Sequence, residues 1–143
     1  MRDPANIAEV AAMQPDYMGF IFYPPSKRFI GVEFEKQDVD HLHPDIKKTA
    51  VFVDAQLHEV VEFSHIYGMK TLQLHGSETP EFCAALQQKD FTVIKAFGIN
   101  ENFDFSILEN YQNVVDFFLF DTKTVDYGGS GETFNWQILN NYT

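Results

Sequence analysis

Asp121 is the side chain whose surroundings best suit proton transfer. It directly follows the apolar run at residues 117–120, which has the composition of a buried strand. A carboxyl group at the mouth of such a strand loses solvation, so we expect its pKa to rise towards the range of a general acid. Position alone leaves a second interpretation open, namely an aspartate that caps a helix or stabilises a turn.

Two further side chains are candidates for binding an anionic or polar ligand. Arg28 lies in a loop after the apolar run at 17–23, and its planar guanidinium suits a carboxylate or phosphate held by two hydrogen bonds. His75 follows the strand-like segment 69–74 and is suited to donate to a substrate oxygen or to transfer a proton. The alternatives are a solvated loop charge for Arg28 and a histidine that stabilises its own loop for His75.

A glycine-rich loop follows Asp121. Residues 128–131 read Gly-Gly-Ser-Gly, and a loop of this composition can aim several backbone N–H groups at an anion or act as a hinge. It contains neither the Gly-Lys-Ser/Thr of a Walker loop nor GxGxxG spacing, so nucleotide binding of those kinds is not predicted. Gly128 and Gly129 are the candidate ligand-binding residues of this loop.

Other residues that suggest chemistry have simpler interpretations. The histidines His41 and His43 lie among aspartates, but their spacing matches no zinc site, and we predict a solvated surface and no metal. Cys83 falls on a predicted helix and is expected to be a small core residue. Trp136, near the end of the chain, is also expected in the core.

Composition limits the classes of protein that fit. The 143 residues are 45% hydrophobic, which suits one domain spanning 1–143. Ten basic and 21 acidic residues give a net charge of −11, which disfavours nucleic acid as a partner. A single cysteine is typical of a reducing cytoplasm, and no apolar run is long enough to cross a membrane.

Short apolar strands alternate with helical patterns along the chain. The predicted strands lie at 17–22, 49–53, 69–74, 91–97 and 114–120. This alternation is typical of repeated βα units and a parallel sheet. Two architectures remain open on periodicity alone: an open doubly wound sheet, and part of a (βα)8 barrel. In both, ligands bind at the carboxyl ends of the strands.

Segments in the same order as these strands resemble the phosphoribosylanthranilate isomerase family. They are Asp-Tyr-Met-Gly-Phe-Ile-Phe-Tyr-Pro at 16–24 with Ser-Lys-Arg-Phe at 26–29, Val-Phe-Val-Asp at 51–54, Leu-Gln-Leu-His-Gly at 72–76, Val-Ile-Lys-Ala-Phe at 93–97, and Leu-Phe-Asp-Thr-Lys at 119–123 with Gly-Gly-Ser-Gly at 128–131 and Thr-Phe-Asn-Trp at 133–136. The resemblance covers nearly the whole chain and matches strands two to six of that family's barrel.

The resemblance implies a fold, a reaction and roles for the candidate residues. The family is a (βα)8 barrel of tryptophan biosynthesis that converts N-(5'-phosphoribosyl)anthranilate, a small phosphorylated substrate, by an Amadori rearrangement without cofactor or metal. It implies that Asp121 is the general acid that opens the ribose ring and that Arg28 holds the anthranilate carboxylate. His75 and the glycine loop, with Gly128 and Gly129, would line the substrate site.

Two departures from the family pattern shape the expectation. The family's first strand ends in Lys-x-Cys-Gly, whose cysteine is the general base, and this motif does not occur in the 143 residues. The seventh and eighth strands have no counterpart either. We therefore predict an incomplete α/β barrel, strands two to six of eight, that is inactive alone. The rival is an open doubly wound receiver or binding domain with Asp54 as phospho-acceptor.

Overall fold

The structure is a computed structural model, and it describes residues 1–122 and 135–142. Its strands are β1 (Tyr17–Ile21), β2 (Lys47–Phe52), β3 (Thr71–Leu74), β4 (Thr92–Ile99) and β5 (Phe117–Thr122). Its α-helices are α1 (Pro4–Ala12), α2 (Gln37–Asp40), α3 (Leu57–Ile66) and α4 (Pro80–Gln87). Two 3₁₀-helices lie at Phe105–Asn110 and Trp136–Asn141.

The strand order decides between the two predicted architectures. All neighbouring strands are parallel, and the order in the sheet is the order in the chain, β1-β2-β3-β4-β5. A doubly wound sheet reverses its order at a switch point, and this sheet does not. Because βα crossovers are right-handed, a sequential order carries every crossover to the same face. The opposite face becomes the inside of a curled half-barrel, so the barrel prediction is confirmed and the open-sheet alternative is wrong.

Two of the helices begin with a capping side chain followed by a proline, a pattern that predicts a helix start. Asp3 is the N-cap of α1, where its side chain accepts from the Asn6 N–H at 2.9 Å. Thr79 does the same for α4 by accepting from Phe82 N–H at 3.3 Å. A proline follows each cap, at the position where a missing N–H costs least.

The core lies on both faces of the central strands. The last four residues of β2 are all buried, which is typical of a parallel strand covered on both sides. One cluster joins strand residues such as Phe20, Phe52 and Leu72 to Ile7 of α1 and Leu86 of α4. The apolar strand positions therefore hold the carboxyl edge of the sheet rigid, which is where the candidate residues lie.

Several local predictions need correction. The spacing of Ile107, Leu108 and Tyr111 predicts a short α-helix, but Phe105–Asn110 is a 3₁₀-helix. A last α-helix is predicted from Phe134, Ile138 and Leu139; Phe134 lies outside the described residues, and Trp136–Asn141 is a 3₁₀-helix. Trp136 was expected in the core but is 70% exposed, because the short 3₁₀-helix that carries it contributes no buried residue. No helix among the described residues combines the length and the hydrophobicity that a bilayer crossing requires.

Candidate active site

The carboxyl edge of the sheet brings His75 and Asp121 together. His75 directly follows β3, and Asp121 is in β5, so the two side chains approach each other across the exit of β4. Asp121 pairs in register with Gly98 of β4, which has no side chain to stand between them. The distance from His75 Nε2 to Asp121 Oδ2 is 3.6 Å.

The two groups differ in their access to solvent. The His75 side chain is 21% exposed and that of Asp121 is 37% exposed. Burial lowers the pKa of His75 below 6.5, and the positive charge of Lys95 lowers it further, while Asp121 and Glu78 act in the opposite direction. His75 is therefore neutral at pH 7.

The tautomer of His75 follows from its other neighbour. The Gln73 side-chain amide lies 3.3 Å from His75 Nδ1, and an amide nitrogen only donates, so Nδ1 is the acceptor. The proton of the neutral ring is then on Nε2, on the side of Asp121. Because 3.6 Å exceeds a direct hydrogen bond, the Nε2–H donor can still serve a ligand oxygen.

A buried ion pair lies directly behind His75. Lys95 of β4 and Glu78 approach to 3.2 Å, and their side chains are only 3% and 2% exposed. The Lys95 ammonium also donates to the Gly76 carbonyl at 2.7 Å and to the Leu74 carbonyl at 3.3 Å. Glu78 accepts from the Gly76 N–H at 3.0 Å. The pair thus holds the main chain on both sides of His75.

Sequence reasoning did not identify this pair. A signal existed for Lys95, because a lone charge inside the apolar segment 91–97 must find a partner when the strand is buried. Glu78 gave no such signal, since it lies in a polar loop whose burial depends on tertiary packing.

Asp54 has a structural part in the same loop. Its carboxylate accepts from the Ser77 N–H at 2.6 Å and from the Ser77 hydroxyl at 3.0 Å, and its backbone has a positive φ of 51°. Its own N–H donates to Glu78 at 3.0 Å. Asp54 therefore joins the β2 and β3 exits, and the receiver interpretation, which needed an open doubly wound sheet, is wrong.

Arg28 lies apart from these groups. It is exposed in the loop after β1, where its backbone N–H donates to the Ser26 hydroxyl at 3.1 Å. Its guanidinium makes no ion pair with any of residues 1–122 or 135–142. The strands β1 and β5 are at opposite ends of the sheet, so the structure does not place Arg28 beside Asp121.

The remaining candidates from the sequence are the glycine loop, the histidines beside aspartates and the single cysteine. Gly128 and Gly129 lie outside the described residues. His43 is exposed beside Asp45 at 3.5 Å, and the described part of the chain holds no group of three or more His, Cys, Asp or Glu that suits a metal ion. Cys83 is buried as expected, and burial raises the pKa of its thiol to about 11.

A separate cavity lies behind the exit of β1. It has a volume of about 580 Å³ and is lined mainly by apolar groups, including Phe22, Phe52, Phe63 and Tyr67. Neither His75 nor Asp121 lines it. An anionic ligand would lose its hydration there without a cation among the lining residues to replace it, which favours the polar edge over this cavity as the candidate site.

A parallel sheet whose strands follow one another in chain order defines this chain as part of a (βα)-barrel protein, and His75 and Asp121 lie at the edge where barrel proteins bind their ligands. The family model described as N-(5'phosphoribosyl)anthranilate (PRA) isomerase matches residues 1–143. The chain belongs to this family.

Named relatives agree with this assignment. The chain is 46% identical to an N-(5'-phosphoribosyl)anthranilate isomerase of Parabacteroides distasonis and 39% identical to one of Phocaeicola vulgatus, with 99% of the chain covered in each case. The match spans 65% and 67% of those two proteins. The crystal structure of phosphoribosyl anthranilate isomerase from Thermotoga maritima superimposes with a TM-score of 0.85 at 32% identity, over 99% of this chain and 68% of that one.

Proposed function

We propose that residues 1–143 form part of a single barrel domain that isomerises N-(5'-phosphoribosyl)anthranilate to 1-(2-carboxyphenylamino)-1-deoxyribulose 5-phosphate. The observation that carries this proposal is Asp121 at the carboxyl edge of β5, with the neutral His75 at 3.6 Å. The family assignment supports the same reaction, because all of residues 1–143 match its model.

Asp121 acts as the general acid in this proposal. Its protonated carboxyl group gives a proton to the ribose ring oxygen as the C1–O bond breaks, which opens the ring and leaves a C1–nitrogen double bond. Removal of the C2 proton then yields the enol form, which becomes the ketone. His75 donates from Nε2 to a substrate oxygen beside Asp121 and so orients the sugar.

Arg28 holds the carboxylate of the anthranilate ring. In an eight-stranded barrel, strands four apart in the order lie opposite each other across the mouth, as β1 and β5 would. A substrate that spans the mouth can therefore reach Arg28 with its carboxylate and Asp121 with its sugar. In a chain of net charge −11, a local cation is the means by which an anionic substrate is bound.

The proposal requires a base that these residues do not supply. The resemblance assigns that part to a cysteine in Lys-x-Cys-Gly, and the single cysteine here, Cys83, is buried in α4 with its pKa raised to about 11. A thiol of this kind is a poor base at neutral pH. Turnover is therefore proposed for the barrel in which this chain is joined to further βα units.

The test is a completed barrel. Residues 1–143 replace the matching part of the Parabacteroides distasonis relative, whose own ends supply the other units. The anthranilate adduct is fluorescent, and its loss on conversion of freshly made substrate measures turnover. We expect turnover by the completed barrel and none by residues 1–143 alone. A folded completed barrel without turnover would contradict the proposal, and so would full turnover by residues 1–143.

A further inference from the structure

We propose that Glu78 and Lys95 are positioning residues, which hold the His75 imidazole in place opposite Asp121. The proposal builds on the site of the proposed function, although its structural part can be tested without any turnover. Neither residue contacts the reacting atoms in this account. They act through the main chain of the β3 exit loop.

Hydrogen bonds hold the backbone on both sides of His75. The His75 N–H donates to the Phe52 carbonyl at 2.9 Å. The carbonyls on either side, of Leu74 and Gly76, accept from Lys95, and the N–H of Gly76 donates to Glu78. The main chain from Leu74 to Gly76 is therefore held by these four hydrogen bonds. Lys95 and Glu78 make three of them, and Phe52 makes the fourth.

The ion pair of Lys95 and Glu78 is almost completely buried. Charged side chains that are 3% and 2% exposed make strong, direction-dependent hydrogen bonds, because little water competes for them. Replacing the pair with apolar residues would often leave stability unchanged or increase it. A stability role alone therefore does not account for a buried pair that directs three of its hydrogen bonds to the main chain on either side of His75.

The ion pair also connects the β3 exit loop to the neighbouring strands β2 and β4. Glu78 also accepts from the Asp54 N–H at 3.0 Å, which joins the β2 exit to the β3 exit. Lys95 is in β4 and donates in addition to the Ala96 carbonyl at 3.0 Å. The pair thus joins the exit loops of β2 and β3 to strand β4, and His75, in the middle of the β3 exit, lies 3.6 Å from Asp121. A displacement of the loop would separate the two groups that face the substrate.

The test begins with the 143-residue chain. The variant Lys95→Met with Glu78→Gln removes both charges together, so that neither is left buried without its partner. Histidine ring signals in NMR spectra report each imidazole, and His75→Gln identifies the signal of His75. The charged groups facing His75 are Asp121 from β5, Lys95 from β4 and Glu78 from the loop.

We expect the pKa of His75 to rise towards 6.5 in the double variant, because the Lys95 charge is lost and a loosened loop lets water reach the ring. Glu78→Gln alone separates the two causes, because loss of the Glu78 charge would lower this pKa, whereas a loosened loop raises it, and we expect a rise. The other four histidines should titrate as before. The matched control is Lys48→Met, which removes another lysine that donates to a main-chain carbonyl, that of Tyr67 at 3.4 Å. A folded double variant in which His75 titrates as in the unaltered chain would overturn the proposal.

The completed barrel gives the second measurement. We expect kcat to fall about 10- to 100-fold in the double variant, as is typical when a catalytic group is displaced by about 1 Å. KM should change far less, because Arg28 is untouched, and Lys48→Met should leave both constants unaltered. An unchanged kcat in a folded double variant would contradict the positioning role.

The outcomes separate this proposal from the proposed function. If the unaltered completed barrel is inactive, the proposed function fails, while the titration of His75 still decides the positioning role. Glu78→Gln alone is the second variant, since it keeps the size of the side chain and an acceptor oxygen. If neither variant folds, the pair serves stability only and the proposal is wrong.

Discussion

The exit loops of β3 and β1 present their polar side chains in opposite ways. After β3, His75 is 21% exposed, and the loop is bound by a buried ion pair and by Asp54. After β1, Arg28 is exposed, and its guanidinium forms no ion pair with a described residue. The first loop is therefore held by interactions among the described residues, whereas the second presents the charge that the proposed function assigns to the substrate carboxylate.

This difference has a consequence for mutations. A substitution in the β3 exit disturbs interactions that the folded chain already makes, so its cost appears in the free energy of unfolding. A substitution of Arg28 removes nothing that the described structure uses, so its cost appears only when substrate binds. Substitutions that loosen the β3 exit should therefore change stability as well as activity, whereas substitution of Arg28 should change activity alone.

Of the substitutions in these two loops, Arg28→Ala is expected to have the largest effect. In the completed barrel, Arg28→Ala should lower kcat/KM by an amount that corresponds to about 2–5 kcal/mol of activation free energy. This is the loss expected when one member of a charged pair between protein and substrate is removed. Arg28→Lys should recover only part of this, because an ammonium lacks the two-pronged geometry. Urea denaturation should give a free energy of unfolding within about 0.5 kcal/mol of the unaltered protein. Unchanged kcat/KM in Arg28→Ala would remove Arg28 from the site.

A smaller effect is expected at Gly76. A Cβ there would overlap the Asp54 carboxylate and lie 2.7 Å from the Asp54 backbone nitrogen, so the loop would have to shift. Gly76→Ala should lower the free energy of unfolding by about 1–3 kcal/mol, as overpacking does.

The matched control for Gly76 is Gly19→Ala in β1. There the nearest atom to an added Cβ is Val51 Cγ2 at 3.6 Å, which is an ordinary contact. Urea denaturation of both variants measures the difference. Equal stabilities would mean that the β3 exit is less tightly packed than described.

The smallest effect is a dependence of stability on pH. The pKa of His75 is lowered in the folded chain, so the unfolded chain binds the extra proton first as the pH falls below 6.5. Stability is therefore greatest above this pH and falls as the pH drops from 6.5 through the lowered pKa. His75→Gln should flatten this part of the profile in urea denaturation, and His58→Gln, at an exposed histidine, should not. Identical profiles for the unaltered chain and His75→Gln would contradict the burial of His75.

The fold was largely predictable because the strands are short apolar runs. Residues 49–53 and 69–74, for example, overlap β2 and β3. Strand order was not predictable from periodicity, since a barrel and a doubly wound sheet share the same alternation of strands and helices. Only the family resemblance favoured the barrel. The 3₁₀-helices were missed because their backbone differs from an α-helix in hydrogen bonding and not in composition.

The site was predictable in part. That His75 and Asp121 share one edge was predictable, because polar residues at strand exits gather at one edge of a parallel sheet; their roles in a reaction stay predictions. Their distance of 3.6 Å was not predictable, since it depends on how strongly the sheet curls. Glu78 was missed because its burial arises only when the β2 and β3 exit loops come together beside Lys95 of β4. The prediction that Trp136 lies in the core was wrong, because an aromatic side chain is buried only where the chain supplies a surface to cover it.

The role of Asp121 as general acid is the central claim, and one substitution tests it most directly. In the completed barrel, Asp121→Asn keeps the size of the side chain but cannot give up a proton in the same way. We predict that turnover falls about 10²- to 10⁴-fold, while the urea denaturation curve stays the same. Asp45→Asn, at an aspartate whose side chain is 91% exposed, should keep full turnover. Full turnover by Asp121→Asn would show that another residue protonates the ring oxygen.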